Sequence, residues 1–331
     1  MRVDRVVVTG GAGFLGSHLC EALLRDGCEV VCLDNFRTGN PANLAGLSQH
    51  PRFRLRLHNL AQEIRLDGPV DAVLHFASSC APEDYRRQRA STHESGVTGT
   101  WRALELARAK GARLVLGSTA EVYGEPQVHP QPEHYWGAVD PVGPGSVHRE
   151  ARRYAEALAA AYRTEEDTDT AIVRIFNTFG PRMRFSDGRA IGTFIQRALR
   201  GEPVPVTGDG SQIRSACYVT DLVEGILRVT RSPLAGPINL GNPQGRSILQ
   251  TARDVIEATG STSPIIFVDH RIEEPARCCP DITLASQLLG WSPTTSWQDG
   301  LTLSIAWART RILPISPARS RLPRARRSVD R

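Results

Sequence analysis

The stretch Val6–Gly16, VVVTGGAGFLG, runs from β-branched apolar residues into three glycines at Gly10, Gly13 and Gly16. The segment that follows, Ser17–Asp26, has the apolar spacing of a helix. A strand, a glycine turn and a helix in this order form a cradle for a diphosphate, because the glycines permit a tight turn while the helix N-terminus presents N–H donors. The pattern indicates a dinucleotide-binding fold, and the alternative is a glycine-rich turn in another α/β protein.

Asp34 supports the interpretation as a dinucleotide-binding fold. The second predicted strand, Glu29–Leu33, ends at Asp34, 18 residues after Gly16. A carboxylate there can accept hydrogen bonds from both ribose hydroxyls and repels a 2′-phosphate, which favours NAD over NADP. The residues expected to bind the cofactor are Gly10, Gly13, Phe14, Leu15, Gly16, Asp34, Asn35, Phe36, Thr38, Gly39, Ala77 and Ser78.

The composition is that of a globular protein large enough for two lobes, with 331 residues of which 40% are hydrophobic. No apolar run reaches the ~20 residues of a membrane helix, and the chain enters a predicted strand at once, which argues against a signal peptide. The seven cysteines form no disulfide or zinc framework. We therefore expect a cytoplasmic protein with no metal and no membrane partner.

The net charge of +5 rests mainly on arginine, since Lys110 is the one lysine among 40 basic residues. Much of the excess lies in the proline-containing segment 309–331, which we expect to be a disordered tail. A solvated tail is favoured over a nucleic-acid-binding arm, so no nucleic-acid partner is expected.

Strands and helices alternate through the first half of the chain, which predicts an α/β fold with a parallel sheet covered on both faces. The predicted strands are Arg2–Val8, Glu29–Leu33, Arg52–Leu57, Ala72–His75, Arg113–Leu116 and Ala171–Phe176. The predicted helices include Thr98–Lys110, Arg149–Arg163, Gly192–Arg200 and Ser247–Thr259, and another begins at Tyr218 with Thr220 as its N-cap. Ligands of such sheets bind at the carboxyl ends of the strands.

Two further stretches are distinctive: STAEVYGEP at Ser118–Pro126 and RIFNTFGPRM at Arg174–Met183. With the glycine motif and Asp34, they resemble the extended short-chain dehydrogenases/reductases of the NAD-dependent epimerase/dehydratase family, closest to the UDP-glucuronate decarboxylases (UDP-xylose synthases). The resemblance covers roughly residues 1–308. It implies that NAD oxidises the C4 hydroxyl of a nucleotide sugar, which permits decarboxylation, epimerisation or dehydration before the hydride returns.

The resemblance also implies an architecture, a Rossmann-like doubly wound parallel sheet with a smaller C-terminal substrate-binding lobe. We assign residues 1–178 and 217–243 to the NAD-binding domain and residues 179–216 and 244–308 to the nucleotide-sugar-binding lobe. The helices Thr98–Lys110 and Arg149–Arg163 are expected to pair in a homodimer. The residues expected to bind a UDP-linked sugar are Tyr85, Asn177, Arg182 and Arg214, and Thr119 and Glu121 are expected to act in catalysis.

The chain departs from the family where the chemistry takes place. The family's Tyr-x-x-x-Lys pair is His148 and Arg152 here, both on one face of a helix. The family's serine before Glu121 is Ala120, the arginine that decarboxylases use at the sugar is Cys278, and the expected helix asparagine is Gly96. One interpretation is a rebuilt site, in which a neutral imidazole, with an ordinary pKa of ~6.5, is the base. The nearby guanidinium is expected to lower that pKa and keep the imidazole neutral, and Arg152 is expected to bind the nicotinamide ribose. The other is a catalytically silent NAD- or nucleotide-binding partner protein.

Overall fold

The computed structural model describes residues 3–78, 81, 84, 94–143, 145–185, 187–269 and 275–312. In these ranges the strands are β1 (Arg5–Thr9), β2 (Glu29–Asp34), β3 (Phe53–Leu57), β4 (Ala72–His75), β5 (Arg113–Thr119), β6 (Thr170–Ile175), β7 (Thr178–Phe179), β8 (Val204–Thr207), β9 (Ile213–Ser215), β10 (Cys217–Tyr218), β11 (Ile238–Leu240), β12 (Gly245–Ser247), β13 (Ile265–Val268) and β14 (Arg277–Cys278). The α-helices are α1 (Phe14–Arg25), α2 (Gly99–Lys110), α3 (Ser146–Glu165), α4 (Ala190–Arg200), α5 (Val219–Arg231), α6 (Ile248–Thr259), α7 (Thr283–Leu289) and α8 (Trp297–Ile312).

A seven-stranded parallel sheet in the order β11-β6-β5-β4-β1-β2-β3 forms the centre of the fold. Apart from the edge strand β3, its strands are largely buried on both faces, and alternate residues of β1 point into different layers. Val6 and Val8 pack in the layer that includes α1 and α5, whereas Val7 packs in the layer that includes α2 and α3. The predicted Rossmann-like doubly wound parallel sheet is therefore confirmed.

The C-terminal elements pack around a separate apolar cluster. It joins Phe194 of α4, Val206 of β8, Val255 of α6 and Ile305 of α8. Small sheets accompany it, β12-β9-β14 and β13-β8. The division into an NAD-binding domain and a substrate-binding lobe stays an interpretation, and these elements are where that interpretation places the smaller lobe.

Two local predictions about helix ends have opposite outcomes. Ser247 caps α6 as expected, since its hydroxyl accepts a hydrogen bond from the backbone N–H of Gln250 at 3.0 Å. Thr220 was predicted to be an N-cap, and this is wrong, because α5 already begins at Val219 with Tyr218 as its N-cap.

The predicted C-terminal tail starts too early, since residues 309–312 belong to α8. Residues 313–331 lie outside the described residues. Within the described ranges, every helix is too short or too polar to span a lipid bilayer.

Candidate active site

The glycine motif forms the turn that the sequence predicts. Gly10 has a left-handed φ of +71° at the end of β1, and the backbone N–H of Gly13 donates to the carbonyl of Gly10 at 3.0 Å. A Cβ at Gly16 would lie only 2.1 Å from the same carbonyl oxygen, so α1 can approach the turn only with glycine there. The first turn of α1 contains no acidic residue, and Gly13 provides no side-chain cap. The N–H groups at this helix end therefore face an electropositive space suited to a diphosphate.

Asp34 lies at the carboxyl end of β2 and is almost completely buried. Its Oδ2 accepts a hydrogen bond from the N–H of Ala12 at 2.9 Å, and its Oδ1 accepts one from the N–H of Phe36 at 2.7 Å. Burial raises the pKa of this carboxyl, while the backbone hydrogen bonds oppose that effect. A Cβ at Gly39 would lie 2.8 Å from Oδ1, so glycine there allows the loop to pack against the carboxylate. The arrangement holds the carboxylate beside the glycine turn, as the ribose of NAD requires.

A continuous cavity of about 800 Å³ extends from this turn into the C-terminal elements. The predicted cofactor residues that line it are Gly10, Gly13, Phe14, Leu15, Gly16, Asp34, Asn35, Thr38, Ala77 and Ser78. Phe36 and Gly39 contribute through their contacts with Asp34. The predicted catalytic and substrate residues that line it are Thr119, Glu121, His148, Arg152, Asn177, Arg182 and Arg214. Tyr85 lies outside the described residues.

Arg182 has an unexpected neighbour. Its guanidinium donates to the carboxylate of Glu21 on α1, and its backbone has a left-handed φ of +69°. It therefore contacts the cofactor-binding helix as well as the cavity that was predicted to hold the substrate.

The predicted catalytic residues converge at the carboxyl end of β5. The N–H of Glu121 donates to Oγ1 of Thr119 at 3.2 Å, and a carboxylate oxygen of Glu121 lies 4.0 Å from Nε2 of His148. The imidazole is 1% exposed, and burial followed by the charge of Arg152 lowers the pKa of His148 to about 3. The lowered pKa agrees with the expectation that the Arg152 guanidinium keeps this imidazole neutral, and burial is the larger cause. At pH 7 the imidazole is neutral, and its contact with Glu121 is not an ion pair.

Arg152 has the place of the family's lysine and is 3% exposed. Its Nη2 donates to the backbone carbonyl of Ala77 at 3.5 Å, which ties α3 to the segment after β4. Its charge also contributes, after burial, to lowering the pKa of His75 to about 3. His75 is buried between the hydroxyls of Thr9 and Thr100, at 2.9 and 3.1 Å. Burial, and after it the charge of Arg152, thus keep the imidazoles of His75 and His148 neutral.

A buried polar network supports the strand ends behind the cavity. Ser118 donates to a carboxylate oxygen of Glu156 on α3 at 2.5 Å, and Arg174 of β6 pairs with the same carboxylate at 2.8 Å. Arg174 also donates to the hydroxyl of Tyr123, which donates to Asn239 of β11 at 2.7 Å. This chain of contacts links β5, β6 and β11 and fixes the segment that carries Thr119 and Glu121.

Gly96 explains how α2 and α3 fit together at the site. It lies in the helical turn Glu94–Thr98, and a Cβ there would be 2.9 Å from the Cβ of Ala151 on α3. Its carbonyl accepts a hydrogen bond from Thr100 at 2.7 Å. In this structure the position where the family has asparagine accommodates the close approach of α3, the helix that carries His148 and Arg152.

Three residues, Cys278, Arg214 and Arg246, line the cavity in its C-terminal part. Cys278 of β14 pairs in register with Arg214 of β9, and both line the cavity. Burial raises the pKa of the Cys278 thiol to about 12, so it is uncharged at pH 7. Arg246 of β12 also lines the cavity and was missed by the sequence analysis. The only signal for it was a basic residue in the polar segment after β11.

The chain matches the NAD dependent epimerase/dehydratase family over residues 6–241. UDP-glucuronic acid decarboxylase 1 of Xenopus tropicalis is 43% identical over 92% of this chain and 72% of that protein. UDP-glucuronic acid decarboxylase 1 of Arabidopsis thaliana is 43% identical over 93% of this chain and 71% of its own length.

The chain belongs to the NAD-dependent epimerase/dehydratase family. Solved structures of this kind share its fold. The UDP-glucose 4-epimerase of Thermotoga maritima, solved with UDP-glucose, has a TM-score of 0.85 and 26% identity over 92% of this chain and 99% of that one. The dTDP-glucose 4,6-dehydratase of Streptomyces venezuelae, solved with NAD, has a TM-score of 0.84 and 29% identity over 93% of this chain and 97% of that one.

These findings confirm the predicted family, the predicted NAD cofactor and the prediction of an enzyme of the nucleotide-sugar type. The observed glycine turn and Asp34 fit NAD on their own geometry. The roles of the individual site residues, the homodimer and the cytoplasmic compartment stay predictions.

The buried histidines predict how stability depends on pH. The pKa of both His75 and His148 is lowered to about 3 in the folded protein, whereas an unfolded histidine has a pKa near 6.5. Between these values the unfolded chain binds more protons, so the free energy of unfolding falls as the pH drops below about 6.5. Each histidine should contribute a loss of ~1.4 kcal/mol per pH unit there.

Urea unfolding at pH 7.5 and pH 5.5 measures this loss. In His148→Gln, which has no titrating ring, we expect the loss between the two pH values to be smaller than in the wild type by ~1.4 kcal/mol. The raised pKa of Asp34 acts in the opposite sense in both proteins and cancels in the comparison. Equal losses in the two proteins would show that His148 is not held neutral.

Proposed function

We propose that the chain is an NAD-dependent enzyme that modifies a UDP-linked sugar through a transient ketone at C4, with no net oxidation. The observation that carries this proposal is the continuous cavity, which is lined by the dinucleotide cradle, by Thr119, Glu121 and His148, and by Arg214. A sugar whose diphosphate is bound by Arg214 can reach both the catalytic groups and the cofactor. Family membership and the UDP-glucuronic acid decarboxylases among its relatives support the same class of substrate.

The residues then have separate roles. The hydroxyl of Thr119 binds the C4 oxygen of the sugar, and Nε2 of His148 takes the proton of the C4 hydroxyl. Because the pKa of His148 is about 3, the imidazolium needs a stabilising neighbour, and the carboxylate of Glu121 at 4.0 Å is placed to supply it. Glu121 also moves a proton at C5, and Arg152 hydrogen-bonds the nicotinamide ribose. Bound NAD supplies the oxidation at C4 and its reversal.

Cys278 limits the sugars that fit this scheme. The decarboxylases that the chain resembles have an arginine at this position, whereas here a neutral thiol faces the cavity beside Arg214. A sugar carboxylate therefore meets a neutral thiol at this position, since Arg277, the other residue of β14, is exposed and is not part of the cavity lining. We propose that the substrate is a UDP-sugar without a C6 carboxylate, modified by epimerisation or dehydration.

Incubation of the purified protein with UDP-glucose, UDP-N-acetylglucosamine and UDP-glucuronate, followed by proton NMR, tests this proposal. We expect a new anomeric signal from one of the two uncharged sugars and none from UDP-glucuronate. Conversion of UDP-glucuronate to UDP-xylose would contradict the role given to Cys278. The absence of any product, with NAD bound, would contradict the enzymatic proposal.

One observation favours a second candidate, a catalytically silent protein that binds NAD or a nucleotide. The expected base is a buried imidazole with a pKa about four units below physiological pH. A partner protein would need the cradle and the cavity but not a functional base. The NMR experiment separates the two candidates, because both bind NAD and only the enzyme forms a product.

A further inference from the structure

Arg246 lies directly opposite Arg214 in the small sheet of the C-terminal elements. The strands β12 and β9 are antiparallel, and these two arginines are partners in the register. Side chains of directly paired residues stand on the same face, with Cβ atoms ~5 Å apart. Both arginines line the cavity. Like charges that face each other in this way destabilise a strand pair. An anion bound by both guanidinium groups would offset this repulsion, so the pair is suited to binding an anion.

Arg246 is held in place before any ligand arrives. Its Nη1 lies 3.0 Å from Oδ2 of Asp254, and its Cζ lies 5.1 Å from the centre of the Trp297 ring. The indole N–H of Trp297 donates to the same carboxylate at 2.8 Å, and Gln250 donates to its other oxygen at 2.7 Å. The side chain of Arg246 still exposes a third of its surface. A guanidinium fixed in this way loses little freedom when it binds an anion.

The strand register also indicates how a nucleotide sugar would be oriented in the cavity. Arg246, Arg214 and Cys278 occupy one row across β12, β9 and β14. The Cys278 end of the row lies toward Glu121, whose charge acts on the thiol. The opposite end of the row is Arg246, which lies beside Trp297, another residue of the cavity lining. A sugar at the Cys278 end places the diphosphate against the two arginines and the nucleoside beyond them.

We propose that Arg246 is a second cationic ligand of the substrate diphosphate, acting together with Arg214, and that this pair selects nucleoside diphosphates over monophosphates. The inference rests on the proposed nucleotide-sugar substrate. It assigns a contact to a residue that the sequence motifs did not single out.

Calorimetric titration of the NAD-saturated protein with UDP, UMP and uridine tests the inference. In Arg246→Gln we expect the affinity for UDP to fall ~10- to 100-fold, the effect of losing charge-assisted hydrogen bonds. The affinity for uridine should change less than ~3-fold, because it carries no phosphate. Arg246→Lys, which keeps the charge but not the planar fork, should give an intermediate loss. The matched control is Arg197→Gln, since Arg197 is a surface arginine of α4 paired with Glu202.

The outcomes separate a ligand contact from a structural role. Equal losses for UDP and uridine would show that Arg246 only holds Trp297 and Asp254 in place, and wild-type affinity of Arg246→Gln for UDP would overturn the inference directly. If UDP binding depends on Arg246 while no UDP-sugar is converted, the inference stands and the proposed reaction fails. A wild-type protein that does not bind UDP would overturn both.

Discussion

Replacing Gly16 with alanine should lower the affinity for NAD at least ~100-fold, equivalent to about 2.7 kcal/mol. The added Cβ would lie 2.1 Å from the carbonyl oxygen of Gly10 and 2.8 Å from the Cα of Gly11. Both are backbone atoms, so either α1 or the turn must move. The turn has little room to move at Gly10, because Gly10 packs closely against the backbone of Ala77. A Cβ on Gly10 would lie 2.8 Å from the Cα of Ala77. The N–H groups that are expected to bind the diphosphate of NAD would lose their alignment.

Gly46→Ala is the matched control, because no atom lies within 4 Å of its added Cβ. Its NAD affinity should equal that of the wild type. Titration of each purified protein with NAD, read by calorimetry, gives the comparison, and thermal unfolding without NAD measures how much of the Gly16→Ala effect is lost stability. Wild-type affinity in Gly16→Ala would mean that the diphosphate does not bind at this turn.

The central sheet was predictable because its signals are local. The β-branched run at Val6, the glycines after it and the acidic end of β2 all lie within one strand–turn–helix unit and its neighbour. Predicted and observed bounds agree for Ala72–His75 and differ by a residue or more elsewhere. The short strands β8, β9, β12, β13 and β14 were not predicted. They exist only through pairing with distant segments, as β12 pairs with β9, and a stretch of two to four residues carries no periodicity of its own.

The site was predictable to a similar degree. Residues that follow strands were expected to meet at one edge of the sheet, and Asp34, Thr119 and Asn177 do line one cavity. The direction of the His148 pKa shift was predictable from Arg152, but its size was not, because the size depends mainly on how completely the imidazole is buried. Arg246 was missed because its place beside Arg214 depends on the register between β12 and β9, which are distant in the sequence.

A second large effect is expected on the reaction rate when His148, the proposed base, or Glu121 is replaced. His148→Ala and Glu121→Gln should each lower the rate of product formation by ~10²- to 10⁴-fold, the usual contribution of a general acid or base. The first change removes the atom that takes the C4 proton, and the second removes the charge that stabilises the imidazolium. Affinity for UDP should stay near the wild-type value, because the proposal places the diphosphate of UDP at Arg214 and Arg246. Glu150→Gln is the control, since Glu150 also lies on α3 and pairs with Arg153.

An unchanged rate in His148→Ala would place the base elsewhere, and the double variant His148→Tyr with Arg152→Lys then decides what the cavity is for. In an enzyme adapted to imidazole and guanidinium, a phenol at this buried position displaces the sugar or α3, so the rate should fall. In a silent binding protein, the same two changes restore a phenol whose pKa is lowered by a neighbouring ammonium group, and activity can only rise. The direction of the change therefore distinguishes a rebuilt active site from an abandoned one, even if the wild-type rate is close to the detection limit.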